Sequence, residues 1–72
     1  MNSFISKAAL EARRARYKKG ARVELISMTD PYTKLKPGDT GTVDFVDDTG
    51  TVFILWDSGS HLGAVFGEDE IR

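Results

Sequence analysis

The 72-residue sequence contains no cysteine and a single histidine, His61. Disulfides, thiolate zinc sites and cysteine nucleophiles are therefore excluded, and a lone imidazole without a second nitrogen or sulfur ligand does not form a transition-metal site. We expect no cofactor and no bound metal. The longest apolar run, residues 52–56, is far shorter than the roughly 20 residues of a membrane-spanning helix. Because no apolar segment follows a basic N-terminus, the sequence predicts a cytoplasmic protein that does not enter a membrane.

Patterns typical of catalysis are also absent. Gly38 and Gly41 lie in "GDTGTV", which has no lysine after the second glycine and leads into a predicted strand, so it does not match a phosphate-binding P-loop. Asp57, Ser60 and His61 are neighbours in one turn and cannot be arranged in sequence around one reacting atom, as a catalytic triad requires. The acidic turns lack the ligand spacing of calcium loops. We expect no catalytic residues and a protein that is not an enzyme.

Charge is unevenly distributed along the chain, although the formal net charge is only −1. Residues 1–19 contain six basic residues and one acidic residue, whereas residues 20–72 contain four basic and ten acidic residues. A basic tail on an acidic body indicates an electrostatic partner. The alternative is that the two parts attract each other, within one molecule or across a dimer.

Residues 3–18 predict a basic amphipathic helix, because they are rich in alanine, leucine, glutamate, lysine and arginine. Asn2 or Ser3 is the predicted N-cap, and Gly20 is the predicted stop. At helical spacing the apolar side chains fall on one arc. This arc consists of Phe4, Ile5, Ala8, Ala9, Ala12 and Ala15. Since most of it is alanine, we expect the helix to approach its partner surface closely but to bury little area.

After Gly20 the apolar period changes to two, which is typical of strands. The predicted strands are residues 22–27, 40–46, 51–57 and 60–66, with a short turn or strand at residues 68–72. Proline and glycine turns separate them. Four to five short antiparallel strands predict a mainly β fold, a small SH3-like barrel with an N-terminal helix. The predicted organisation is therefore a helix at residues 1–19 and a barrel at residues 20–72.

The third predicted strand is apolar on both faces. Val52, Ile54 and Trp56 point to one side, and Phe53 and Leu55 point to the other. A strand of this kind is normally covered on both faces. We expect one face to form the barrel core and the other to be covered by the N-terminal helix or by a partner subunit.

The basic end of the predicted helix is a candidate nucleic-acid contact. The residues concerned are Arg13, Arg14, Arg16, Lys18 and Lys19. Such a cluster can contact phosphates without reading sequence, and Tyr17, which lies among them, can stack on a base. The alternative is a solvated helix end whose charges pair with acidic turns of the same molecule. The acidic barrel argues against nucleic acid, because most of its surface would repel a phosphate backbone.

Several motifs together resemble a family of small proteins. They are "RVELISMTDPY", "LKPGDTGTVDFVDDTGTVFILWDSGSHLG" and "GEDEIR", and the match covers about residues 20–72. The family resembled is a domain of unknown function, number forty-three fourteen, found in Gram-positive bacteria, their phages and mobile elements. The resemblance implies an SH3-like barrel without catalytic residues, and it implies that the N-terminal helix varies. In addition, "KPGDTGTV" is similar to KOW modules and "WDSGS" to Tudor-like barrels, which bind RNA, ribosomal or protein partners.

Tyr32, Trp56 and Asp57 match the family pattern and are less fully explained by turn geometry than the glycines and prolines. We therefore predict them as a partner-binding surface. An aromatic groove of the kind that binds methylated or proline-rich peptides is one interpretation of the aromatic residues, and the core of a small barrel is the other.

Three functional hypotheses follow from the sequence. The first is a non-enzymatic binding module, an accessory protein of a phage or mobile element that docks on a protein partner, with inhibition of a host nuclease or defence complex as an analogy-based extension. The second is nucleic-acid binding through the basic helix. The third is a structural homodimer.

Overall fold

The computed structural model describes residues 5–72. Its elements, in chain order, are α1 (Lys7–Arg16), β1 (Arg22–Ser27), β2 (Thr40–Val46), β3 (Val52–Trp56) and β4 (Glu70–Ile71). The predicted mainly β class with one N-terminal helix is therefore confirmed. Ser6 caps the helix, because its Oγ accepts a hydrogen bond from the amide of Ala9 at 3.1 Å. The predicted caps Asn2 and Ser3, and the apolar residue Phe4, lie outside the described residues.

The four strands form one antiparallel sheet in the order β3-β2-β1-β4. Within residues 5–72 no ladder joins β3 to β4, so the sheet is open between these two strands. Four antiparallel strands agree with the predicted four to five. The strand pairing that would close this sheet into an SH3-like barrel does not occur among the described residues.

Residues 60–66, predicted as the fourth strand, do not form one. Within the described chain they pair with β3 through a single bridge between Val52 and Ala64. Their carbonyl groups are used locally instead. The carbonyl of Ser60 accepts the amide of Trp56 at 2.9 Å, and the carbonyl of Leu62 accepts the indole Nε1 of Trp56 at 2.8 Å. These groups are not available for a ladder, so this prediction was wrong, and the last strand is the short β4.

The core lies on one face of the sheet, and strand alternation puts it there. Val23 and Leu25 of β1 are buried, as are Val52, Ile54 and Trp56 of β3. The other buried residues are Tyr17, Val43, Ala64 and Ile71. One face of β3 was expected to form the core, and it is the face of Val52, Ile54 and Trp56. Tyr17 belongs to this core although it precedes the predicted start of the barrel at residue 20.

Helix α1 contacts the sheet through its C-terminal half. None of its residues is buried. The exposed positions include three alanines of the predicted apolar arc, Ala8, Ala12 and Ala15. Contact is made instead by Arg13, whose Nε donates to the carbonyl of Gly50, and by Tyr17, which follows the helix and is 8% exposed. Because alanine offers little area to bury, the larger Arg13 and Tyr17 side chains determine how the helix lies.

The helix does not cover the second apolar face of β3. Leu55 is 45% exposed, and Phe53 is half-buried beside Phe45, which is 51% exposed. The helix contacts the turn between β2 and β3 instead, through Arg13 and Arg14. Of the two covers expected for this face, α1 is therefore wrong, and a partner subunit stays a prediction.

Candidate ligand-binding groove

The loop between β1 and β2 is shaped by its own side chains. Asp30 Oδ1 accepts a hydrogen bond from the amide of Tyr32 at 2.8 Å, which closes an Asx-turn. Thr33 Oγ1 accepts the amide of Leu35 at 3.1 Å. Met28 and Leu35 pack against the core on either side of this turn. The anchored loop presents Tyr32 to solvent with 92% of its surface exposed.

The turn after β3 lies opposite this loop. Gly59 has a φ of 100°, a left-handed conformation that glycine adopts without strain. Its amide donates to the carbonyl of Trp56 at 2.9 Å, and the amide of Trp56 donates to the carbonyl of Ser60 at the same distance. This tight turn directs His61 and Leu62 to the side where Tyr32 lies.

Asp57 ties this turn to the sheet. Its carboxylate accepts two hydrogen bonds from the guanidinium of Arg22, at 2.8 and 2.6 Å, and one from Thr40 Oγ1 at 2.7 Å. The hydrogen bonds from Arg22 and then from Thr40 hold the pKa of Asp57 well below its usual range. The same pair raises the pKa of Arg22. The predicted contact residue Asp57 is thus engaged within the protein, and it fixes the start of the turn.

Trp56, also predicted as a contact residue, lies in the core with 3% of its surface exposed. Its indole Nε1 donates to the carbonyl of Leu62 at 2.8 Å. A ring at this depth does not offer a surface to a partner. Its hydrogen bond holds Leu62 in place, so Trp56 supports the groove from beneath.

A groove of about 520 Å³ lies between the loop and the turn. It is lined by Asp30, Tyr32, Thr33, Lys34, Leu35, Ser58, Ser60, His61 and Leu62. The lining combines a tyrosine ring, an imidazole, two leucines, three aliphatic hydroxyl groups and charges of both signs, a mixture suited to binding one apolar group and several polar ones. Of the predicted contact residues, Tyr32 lines the groove directly, whereas Trp56 and Asp57 hold its opposite wall.

Sequence reasoning missed most of the groove lining. Lys34, Leu35 and Leu62 were not singled out as contact residues, and they meet because the β1–β2 loop folds over the end of β3. The one available signal was the length of that loop between two short strands, since long ordered loops are often functional.

Two residues of the predicted nucleic-acid cluster make contacts within the protein. Arg13 donates to Gly50, and its guanidinium lies 5.3 Å from the ring centroid of Phe66. Burial lowers the pKa of Arg13. Arg14 forms a salt bridge with Asp48 at 2.8 Å. These contacts correspond to the alternative interpretation, in which basic helix residues pair with acidic turns.

The other three cluster residues are exposed. Arg16 lies 5.2 Å from the ring centroid of Tyr17, and Lys19 Nζ lies 3.7 Å from Asp44 Oδ1. Lys18 has no ion pair among the described residues. The cluster is therefore divided, with Arg13 and Arg14 facing the protein and Arg16, Lys18 and Lys19 facing solvent.

No group of three histidine, cysteine, aspartate or glutamate side chains within residues 5–72 is arranged to hold a metal ion. No helix in that range is long and apolar enough to span a membrane.

Fold and groove define a small, mainly β domain in which one helix is attached to an open four-stranded sheet. The chain belongs to the family described as Domain of unknown function (DUF4314), whose profile matches residues 6–72. The match begins at the N-cap of α1 and so includes the helix, whereas the resemblance seen in the sequence covered residues 20–72. No curated protein and no solved structure matches the chain.

Proposed function

We propose that this protein is a non-enzymatic binding module that holds an extended segment of a protein partner in the groove between the β1–β2 loop and the turn after β3. The observation that carries this proposal is Tyr32. A large aromatic side chain is 92% exposed on a loop that is anchored on both sides, beside a groove of about 520 Å³. Tyrosines of this kind are enriched among the residues that dominate protein interfaces.

The groove chemistry favours a peptide segment as the occupant. Leu35 and Leu62 provide an apolar floor for one side chain, and the hydroxyls of Ser58 and Ser60 offer hydrogen bonds to a peptide backbone. Lys34 and Asp30 lie in the same lining, so a partner residue of either charge finds a counterion.

The preorganised wall after β3 supports tight binding. Asp57 is locked by Arg22 and Thr40, and Trp56 holds Leu62 through its indole. A preorganised site loses little side-chain freedom when a ligand binds. On this proposal Tyr32 makes the contact, while Trp56 and Asp57 act as positioning residues.

The identity of the partner rests on the family resemblance alone. We propose an accessory role for the protein in a phage or mobile element, with a host nuclease or defence complex as the target class. Fold does not imply function, so this extension depends on the partner that an experiment identifies.

The test is selection of a displayed random-peptide library on the immobilised full chain, followed by NMR titration of an enriched peptide. We expect amide shifts concentrated at residues 30–35 and 58–62. Tyr32→Ala should weaken binding by about tenfold or more, as expected for a hot-spot tyrosine.

Phe45→Ala is the matched control, because it removes an exposed aromatic ring on the other face of the sheet. Binding that survives Tyr32→Ala, or shifts that map away from both groove walls, would show that the groove is not the peptide site.

A further inference from the structure

The outer face of β2 carries an irregularity that exposes an aromatic ring. Val43 pairs with Ile54, but Phe45 pairs with Phe53, so Asp44 is an extra residue opposite β3, a β-bulge. In a regular strand without the bulge, Phe45 would share the buried face of Val43, two residues before it. The bulge turns Phe45 outward instead, where it is 51% exposed. Bulges often redirect a side chain beside a functional site.

The redirected ring forms part of a flat aromatic surface. Phe45 and Phe53 are stacked, with ring centroids 4.7 Å apart and an interplanar angle of 17°. Gly63 lies close behind Phe53, since a Cβ at this position would be 3.3 Å from two atoms of the ring. Leu55, 45% exposed, is on the same face of β3. We call Phe45, Phe53 and Leu55 the outer aromatic strip.

Cationic side chains flank both ends of this strip. At one end, Lys19 pairs with Asp44, the residue before Phe45, at 3.7 Å, and its side chain is 82% exposed. At the other end, Arg22 donates to Thr42 at 2.9 Å, and Thr42 lies opposite Leu55.

The segment before β1 supplies exposed cations next to the strip. The acidic neighbours Asp44 and Asp57 are each paired, with Lys19 and Arg22 respectively. Lys18 and Arg16 precede Lys19 in the chain and are exposed. The amide of Gly20 donates to the carbonyl of Val43 at 2.8 Å, which keeps this basic segment next to β2.

We propose that the outer aromatic strip is a binding site for single-stranded nucleic acid. A base stacks on the exposed ring of Phe45, and the phosphates on either side of it meet Lys18 and Lys19. An exposed aromatic ring beside a cationic track is the combination that binds unpaired bases with little sequence preference. A duplex keeps its bases stacked on one another, so it offers the phosphates but no free base. This site is independent of the proposed peptide groove.

The test is fluorescence anisotropy of the full chain with a fluorescein-labelled oligodeoxythymidine of about 15 nucleotides. A mixed-sequence duplex of equal length serves as the comparison. We expect the single strand to bind more tightly than the duplex at low salt. Phe45→Leu, which keeps an apolar side chain but removes the ring, should weaken binding about tenfold, and Phe45→Trp should retain it.

A second variant tests the phosphate contact. Lys19→Gln should reduce the slope of log affinity against log salt by about 0.7, the value for one phosphate contact on a single strand. The Lys19 side chain is 82% exposed, so we expect Lys19→Gln to leave the packing of the core unchanged.

Tyr32→Leu is the matched control for Phe45→Leu, and we expect it to leave binding unchanged. Three results would overturn the proposal: no binding at low salt, equal binding by wild type and Phe45→Leu, or equal weakening by Tyr32→Leu. Sedimentation that depends on protein concentration in the wild type but not in Phe45→Leu would instead assign the strip to a second copy of the chain.

Discussion

Asp57 shows how a single residue links the sheet to the groove. Its carboxylate joins Arg22 on β1 and Thr40 on β2 to the turn that forms one groove wall. The hydrogen bonds from Arg22 and Thr40 place the pKa of Asp57 below its ordinary value of about 3.9 in the folded state. The unfolded chain therefore binds a proton more readily in acid, so the stability that this group provides is present above about pH 4 and is lost as the pH falls below it.

Asp57→Asn should accordingly be less stable than the wild type at neutral pH, and its stability should change less on acidification. The measurement is the urea midpoint, followed by circular dichroism, between neutral pH and strong acid. Some acid sensitivity should remain, because hydrogen bonds from Lys36 also lower the pKa of Asp39. Parallel curves for the two proteins would show that the Arg22–Asp57 pair does not control acid stability.

At residue scale, the sequence singled out Tyr32, Trp56 and Asp57 because turn geometry did not fully explain them. In the structure Tyr32 lines the groove, whereas Trp56 and Asp57 hold its opposite wall. Their role as contact residues stays a prediction. Alternation placed Trp56 on one face of the strand with Val52 and Ile54, but it did not show which face is the core. The burial of Trp56 depends on residues 60–64 folding over the end of β3. A backbone path of that kind leaves no periodic signal in the sequence.

At the scale of elements, the strands with clear alternation were predicted well. β1 and β2 agree with their predicted bounds, and β3 is shorter than predicted by one residue at each end. The bulge at Asp44 was not predictable, because "TVDFV" alternates as an ordinary strand does and the extra residue becomes apparent only in the pairing with β3. The helix was predicted, but the side on which it packs was not. Long side chains such as Arg13, and not the alanine arc, contact the sheet.

The shallow attachment of α1 leads to a prediction about local stability. No residue of the helix is buried, and its contacts come from Arg13, Arg14, the following Tyr17 and the preceding Ile5, which lies against Gly50. Segments with few buried contacts open independently of the core. We expect the amides of α1 to exchange with deuterium at least about tenfold faster than those of β1 and β2 when followed by NMR.

Arg13→Ala should speed exchange further in α1 while leaving the two central strands unchanged, because it removes the bond to Gly50 and the contact with Phe66. Lys7→Ala is the matched control, since Lys7 is an exposed residue of the first turn. If the amides of α1 and β2 exchange at one common rate, the helix opens only when the whole protein unfolds.

For the whole molecule, the basic N-terminal segment and the acidic remainder meet in two places. Arg14 pairs with Asp48 at 2.8 Å, and Lys19 pairs with Asp44 at 3.7 Å. Some of the basic N-terminal charges are thus paired with acidic residues of the same chain. This agrees with the interpretation in which the two parts of one molecule attract each other. Lys7, Arg16 and Lys18 of the basic segment are exposed and have no ion pair among the described residues.

The strength of this internal attraction can be measured with a double-mutant cycle on Arg14 and Asp48. Their side chains are 45% and 95% exposed, so we expect a coupling free energy of only about 0.2–1 kcal/mol at low salt, typical of surface pairs. At about 1 M salt the screening length falls to roughly 3 Å, and the coupling should vanish.

The charge-reversed pair Arg14→Glu with Asp48→Lys should recover most of the stability lost by either reversal alone, as measured by urea unfolding. A coupling near zero at low salt, together with a loss of stability in Arg14→Ala, would instead mean that Arg14 acts mainly through its contact with the carbonyl of Val46. In that case the helix is held by geometry and not by charge, and the basic segment as a whole is free to meet an anionic partner.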